Sequence, residues 1–270
     1  MQMFENSLCA SPLLRLLVIE SGGQRVNVCV AHRPSMDAAW QRNERSEVGG
    51  AASSVHLIPA VMGLLSEAGM SLQDLDAIAF GQGPGSFTGL RSACAVAQGL
   101  ATTAKPQGLP LIPVPSLWAL AQTGCRLAQP TEGAVIWSCL DARMGEVYAA
   151  SYEMVDVLGV TPPKQRSVEA LYSPEALAQA VAESAVTAPG GVWLVGNAVS
   201  LLQPMLATAS LAHCCSSEVL ASDMVDVATY LTSQGRCVRP EDAMPLYVRN
   251  KVALTTAERA AQKTMSERPA

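Results

Sequence analysis

Residues 79–101 read AFGQGPGSFTGLRSACAVAQGLA. Gly83, Gly85, Ser86, Thr88 and Arg91 gather two glycines, two hydroxyls and a guanidinium where an apolar run meets a helical pattern. Glycines let backbone amides approach an anion, hydroxyls donate hydrogen bonds, and a helix starting near Gly89 turns its positive end toward the loop. Phosphate binding is the chemistry this suggests. The competing reading is a tight strand-to-helix connection punctuated by Gly and Pro.

The familiar phosphate motifs fail residue by residue. A Walker A loop needs a glycine where Pro84 stands, five before Gly89, and a lysine where Leu90 stands. A dinucleotide fingerprint needs a glycine at Thr88 and an acid near Lys105. A nucleophile elbow needs a glycine at Pro84, two before Ser86. A phosphotransferase would also need a catalytic acid and a magnesium site. Glu20, followed by Ser21, and Asp141 are the candidates, each ending an apolar run. Asp141 with Arg143 either faces a cleft between domains or forms a solvated turn with a local ion pair. Glu146 and Tyr148 are expected to pack or solvate the strand that follows. No metal site is expected: His32, His56 and His213 are far apart, and the eight cysteines contain no C-x-x-C.

The chain that must position these groups has 270 residues, 49% apolar and 15% charged, with a net charge of −5. That composition suits a large buried core and gives no basic footprint for stand-alone nucleic-acid binding. The apolar run at 13–19 is short and contains Arg15, so neither a leader nor a membrane span is expected. The cysteines are expected as free thiols in a reducing cytoplasm.

Element by element, residues 1–12 read as a loose extension. Residues 13–20 and 25–33 read as a hairpin, with a third strand around 38–42. A helix follows over 53–69 with Pro59 inside it, then a strand into the glycine loop. Thr88 is expected to cap the next helix, which runs to about residue 104. A short strand (109–115) and a helix from Ser116 complete this half. The order then repeats: a hairpin over 133–155, a third strand at 155–160, a helix at 173–184 capped by Ser173 with Pro174 first, a strand at 191–199, and helices at 200–208 and 223–235. The tail opens a polar helix with a capping box from Thr255 to Glu258. Two βββαβα halves in one chain are the plan of the actin, sugar-kinase and Hsp70 folds; helix count alone also allows one doubly wound sheet. The expected boundaries are 13–115, 116–240, and an extension over 241–270 that packs back on the first subdomain.

The block GQGPGSFTGLRSACAVAQGLA, with LRLLVIES, SLQDLDAIAFG, DARMGEVYAASY, LVGNA and PLYVRNKVALTTAERAA, closely resembles the TsaB (YeaZ) family of bacterial tRNA threonylcarbamoyladenosine biosynthesis proteins. These are paralogues of the catalytic TsaD proteins. The resemblance implies a duplicated actin-like fold, a cytoplasmic location, and pairing with TsaD and the ATPase subunit TsaE, with a homodimer as a further state. It implies a scaffold and activator role in adding threonylcarbamoyl to N6 of adenosine 37 in tRNAs reading ANN codons. It implies contact with tRNA only through the complex, and no cofactor of its own beyond weak ATP or ADP binding. The catalytic relatives hold a metal with a helical histidine pair just after the glycine loop; the matching helix here, SLWALAQTG, has no histidine and no acid. Glu20 replaces the shorter aspartate usual at the first turn, and Ser53-Ser54-Val55 stands where His-Ser-Glu is common, so no role passes to His56. The alternatives are a sugar- or acetate-kinase-like phosphotransferase and, against the lack of a triad or zinc pair, a peptidase.

The two helices flanking the loop are apolar around more than one face. Val55, Leu57, Ile58, Val61, Met62 and Leu65 in the first, with Leu90, Ala93, Cys94, Ala97 and Leu100 in the second, are the expected partner interface. Burial of both helices within the fold is the alternative.

Overall fold

The computed structural model describes residues 12–49, 53–156, 161–206 and 212–249. Two mixed sheets carry the chain. The first has the order β3-β2-β1-β4-β5, formed by β1 (Arg15–Glu20), β2 (Arg25–His32), β3 (Gln41–Val48), β4 (Ala77–Gly83) and β5 (Leu111–Pro115). The second has the order β11-β10-β6-β7-β8, formed by β6 (Val135–Arg143), β7 (Glu146–Glu153), β8 (Lys164–Gln165), β10 (Val192–Val195) and β11 (Ala212–Cys215); β9 (Ala170–Tyr172) also pairs with β7. Each sheet has an antiparallel hairpin, β1–β2 or β6–β7; one parallel strand (β4 or β10) pairs with the hairpin's first member, and a second (β5 or β11) pairs with that strand. The helices repeat as well: α1 (Ser53–Glu67), α2 (Phe87–Ala104) and α3 (Ser116–Ala128), then α4 (Pro174–Thr187), α5 (Val199–Leu202) and α6 (Ala221–Ser233). This is the duplicated actin-like fold.

Side-chain alternation along the strands explains the layering. Leu16 and Val18 of β1 face one core with α3 and α6, whereas Leu17 and Ile19 face a second core with α1 and α2. In the second sheet Ile136 joins the α3–α6 core, and Val135 and Trp137 face a third core with α4 and α5. The helices α3 and α6 therefore lie between the sheets and belong to both lobes.

Several expectations are corrected. The third strand begins at Gln41 and runs to Val48; its sequence QRNERSEV is nearly all polar because it is an edge strand against β2. Ser86, not Thr88, caps α2, since its side chain accepts from the Gly89 amide. The chain enters the helix at Phe87, which leaves Thr88 already inside it. Residues 155 and 156 are not strand, 157–160 lie outside the described residues, and the third-strand position on β7 is shared by β8 and β9. The parallel strand β11 has no counterpart in the sequence reading, and it lengthens the second half by one strand. Cys29, Cys94, Cys125, Cys139 and Cys215 are free thiols. Cys237 is disulfide-bonded, so the expectation of free thiols throughout does not hold, and chain spacing does not reveal this. The tail helix from Thr255 also falls outside the described residues.

Candidate functional site

The β1–β2 turn and the glycine loop meet at one end of a cleft of about 430 Å³ between the lobes. Glu20, Gly22, Pro84, Gly85, Ser86 and Ser116 line it from the first lobe, and Asp141, Arg143, Tyr148 and Asn197 from the second. The two acids singled out by the sequence thus share one cleft. Gly83, Thr88 and Arg91 do not line it, and Ser21 is buried with its hydroxyl donating to the Gly89 carbonyl at 2.7 Å.

The loop spends Gly85 and Gly89 on the neighbouring turn. A Cβ at Gly89 would stand 1.8 Å from the Ser21 carbonyl oxygen, and one at Gly85 would stand 2.8 Å from that of Gly22. The Ser86 amide donates to the Gly22 carbonyl at 2.7 Å. Two backbone segments in direct contact need residues without side chains at the crossing. Arg91 is turned outward: its guanidinium lies 3.8 Å over the Phe87 ring and its Nε donates to the Tyr247 hydroxyl at 3.0 Å.

Glu20 is 2% exposed. The Gly22 amide donates to its Oε1 at 2.5 Å, and Ser116 Oγ at the start of α3 donates to its Oε2 at 3.2 Å. Burial outweighs these hydrogen bonds and pushes its pKa up to about 7. Asp141 is held by its own turn: its Oδ1 accepts from the Arg143 amide at 2.7 Å, and its amide donates to Asn197 Oδ1 at 2.8 Å. Of the two readings left open for this acid, both features are present, a cleft position and a local ion pair with Arg143. Glu146 pairs with Arg249 at 2.5 Å and Tyr148 faces the cleft. Arg249, Tyr247 and Asn27 are cleft residues not expected from the sequence; the match of PLYVRN to the family pattern drew attention to Tyr247 and Arg249, and nothing did so for Asn27.

The residues do not fit the metal centre of the catalytic relatives. The matching helix α3 is packed between the sheets through Leu117, Leu120 and Ala121. Among the described residues no three His, Cys, Asp or Glu side chains come together to hold a metal ion.

Comparison with known proteins fits this geometry. A family model described as "TsaD: tRNA N6-adenosine threonylcarbamoyltransferase" matches residues 44–267. The tRNA threonylcarbamoyladenosine biosynthesis protein TsaB of Escherichia coli is 32% identical over 89% of this chain and 96% of its own length. The chain belongs to the TsaB (YeaZ) family. The Haemophilus influenzae TsaB protein is 36% identical over 50% of this chain and 52% of its own. The solved YeaZ from Pseudomonas aeruginosa superposes with a TM-score of 0.70 at 27% identity, over 87% of this chain and 99% of that one.

The surface on which a TsaB-family protein was expected to dock is divided by the structure. Leu57, Val61 and Leu65 of α1, and Leu90, Ala93, Cys94 and Ala97 of α2, are buried, all but Leu90 in the core beneath the first sheet, and Leu100 packs against that core. These positions recur at helical spacing and face the sheet, so they correct the expected interface. A second stripe on α1 points outward: Val55, Ile58 and Met62 are 68%, 50% and 48% exposed. On α2 the outer face carries Phe87, Thr88, Arg91, Ser92, Ala95 and Val96 around a shallow depression. No described helix is long and apolar enough to cross a membrane.

Proposed function

We propose that this chain is the non-catalytic scaffold and activator subunit of the complex that adds threonylcarbamoyl to N6 of adenosine 37 in tRNAs reading ANN codons. Its partners are the catalytic paralogue TsaD and the ATPase subunit TsaE in the cytoplasm, and it forms a homodimer when TsaD is absent. The observation that carries this reading is the commitment of the glycine loop to the β1–β2 turn. Gly85 and Gly89 face the backbone of that turn, the Ser86 amide is used, and Arg91 is drawn out to Tyr247.

Two further features support it. The cleft sets Asp141 and Glu218 against Arg143 and Arg249, and Arg249 is already paired with Glu146. Such a lining gives the phosphates of ATP little attraction, so ATP and ADP bind weakly. The outward stripe of Val55, Ile58 and Met62 on α1 is an apolar surface beside the small residues of α2, suited to a facing helix of TsaD. The net charge of −5 favours contact with tRNA through the complex.

A phosphotransferase would also use Glu20 and Asp141 in one cleft. It would need Glu20 ionised for magnesium, and burial opposes that. Purified chain, assayed alone, is expected to hydrolyse neither ATP nor protein and to leave tRNA unmodified. Mixed with TsaD, TsaE, threonylcarbamoyl-adenylate and tRNA, it restores modification. Steady ATP turnover or phosphoryl transfer by the chain alone would overturn the reading.

A further inference from the structure

Residues 243–249 form neither helix nor strand, yet they are held along their length. In the first lobe, Cys94 Sγ and Gln98 Nε2 donate to the Ala243 carbonyl at 3.5 and 3.2 Å. Gln82 Nε2 donates to the Met244 carbonyl at 3.1 Å, and the Leu246 amide donates to the Gln82 carbonyl at 2.7 Å. Tyr247 accepts from Arg91 and packs its ring 5.3 Å from that of Phe87.

Two residues later the chain is fastened to the other lobe. Arg249 Nη2 donates to the Ala142 carbonyl at 3.1 Å and to Glu146 Oε2 at 2.5 Å, both on the β6–β7 hairpin. Its side chain is only 12% exposed, and its Nε is buried with no partner among the described residues. Between these anchors Leu246, Tyr247, Val248 and Arg249 line the cleft.

We propose that residues 243–249 are an interlobe latch. They hold the two lobes in one relative setting and roof the cleft, and release of Arg249 from Glu146 lets the cleft mouth open. Apolar packing of α3 and α6 joins the lobes elsewhere, but such packing tolerates sliding. Charge-assisted hydrogen bonds have fixed geometry and resist it. Arg249 is a positioning residue here, and the inference stands whether or not the scaffold reading holds.

The test is a distance measurement between the lobes. Spin labels go on Thr103→Cys in α2 and Val186→Cys in α4, both exposed, with Cys214 and Cys215 replaced by serine in the full chain. The parent is expected to give one narrow distance distribution, and Arg249→Ala a broader one. In hydrogen exchange of the unlabelled chain, Arg249→Ala is expected to speed exchange of the Leu246 amide at least about tenfold, the factor lost with one charge-assisted hydrogen bond. Core amides of β1 and β6 are expected to stay unchanged, which a general loss of stability would not allow. If Arg249→Ala fails to fold, Glu146→Gln keeps the bond to Ala142 and removes the charge, and it must broaden the distribution. A distribution that superposes on the parent's in the folded variant, with Leu246 exchange unaltered, overturns the latch.

Discussion

Replacing Glu20 by glutamine tests the electrostatics of the cleft floor. The Glu20 carboxyl is buried and its pKa is raised from 4.5 to about 7. Below pH 4.5 it is protonated in the folded and unfolded chain alike and contributes nothing to pH dependence. Above that, the unfolded chain ionises freely while the folded chain holds its proton, so stability falls as pH rises and levels off above about pH 7. At ~1.4 kcal/mol for each tenfold change, the full loss is about 3 kcal/mol. Glutamine has no proton to lose. Its Oε1 can accept from Gly22 and its Nε2 can donate to Ser116, which keeps both contacts in place. Urea unfolding of the two proteins between pH 4.5 and 8.5 reads the difference directly. The variant is expected to match or trail the parent near pH 4.5 and to be the more stable by about 3 kcal/mol at pH 8. Parallel stability profiles across that range would refute the claim that Glu20 is held neutral by burial.

The other predictions concern packing and docking. Gly89→Ala places a methyl against the Ser21 carbonyl and is expected to cost at least about 2 kcal/mol in urea unfolding. Val61→Asp or Ala97→Asp puts an unpaired charge in the core beneath the first sheet and is expected to cost 3 kcal/mol or more, roughly, read as loss of the cooperative thermal transition. Ile58→Asp with Met62→Asp alters only exposed positions, so stability is expected to shift by about 0.5 kcal/mol or less per site, while co-elution with TsaD on size exclusion is lost.

Much of this molecule is legible in its sequence. The two hairpins, the strands that end in Glu20 and run through Asp141, and the strand-to-helix glycine loop stand where alternation and turn residues put them. What the sequence hides has physical causes. The strand β11, AHCC, is four residues long with no alternation; parallel pairing with β10 makes it a strand. The strand β3 is polar on both faces, so its start cannot be read from hydrophobic period. Helix α1 carries two apolar stripes, 57/61/65 and 55/58/62, and composition alone does not say which one meets the sheet. The glycine loop has the residues of an anion cradle, yet Gly85 and Gly89 serve backbone contacts 60 or more residues away in the chain, against the carbonyls of Gly22 and Ser21. Arg249 has no local motif; its role arises only when the chain returns across the cleft to Glu146.

On the proposed function, this chain acts by binding and not by chemistry of its own. The most direct measurement is the rate of adenosine 37 modification by the reconstituted complex, with Glu20→Gln and Asp141→Asn together in this subunit compared with Ile58→Asp and Met62→Asp together. The cleft variant is expected to sustain the parent rate and the docking variant to give no modification. An assembled complex that is inactive with the cleft variant, or fully active with the docking variant, would contradict it.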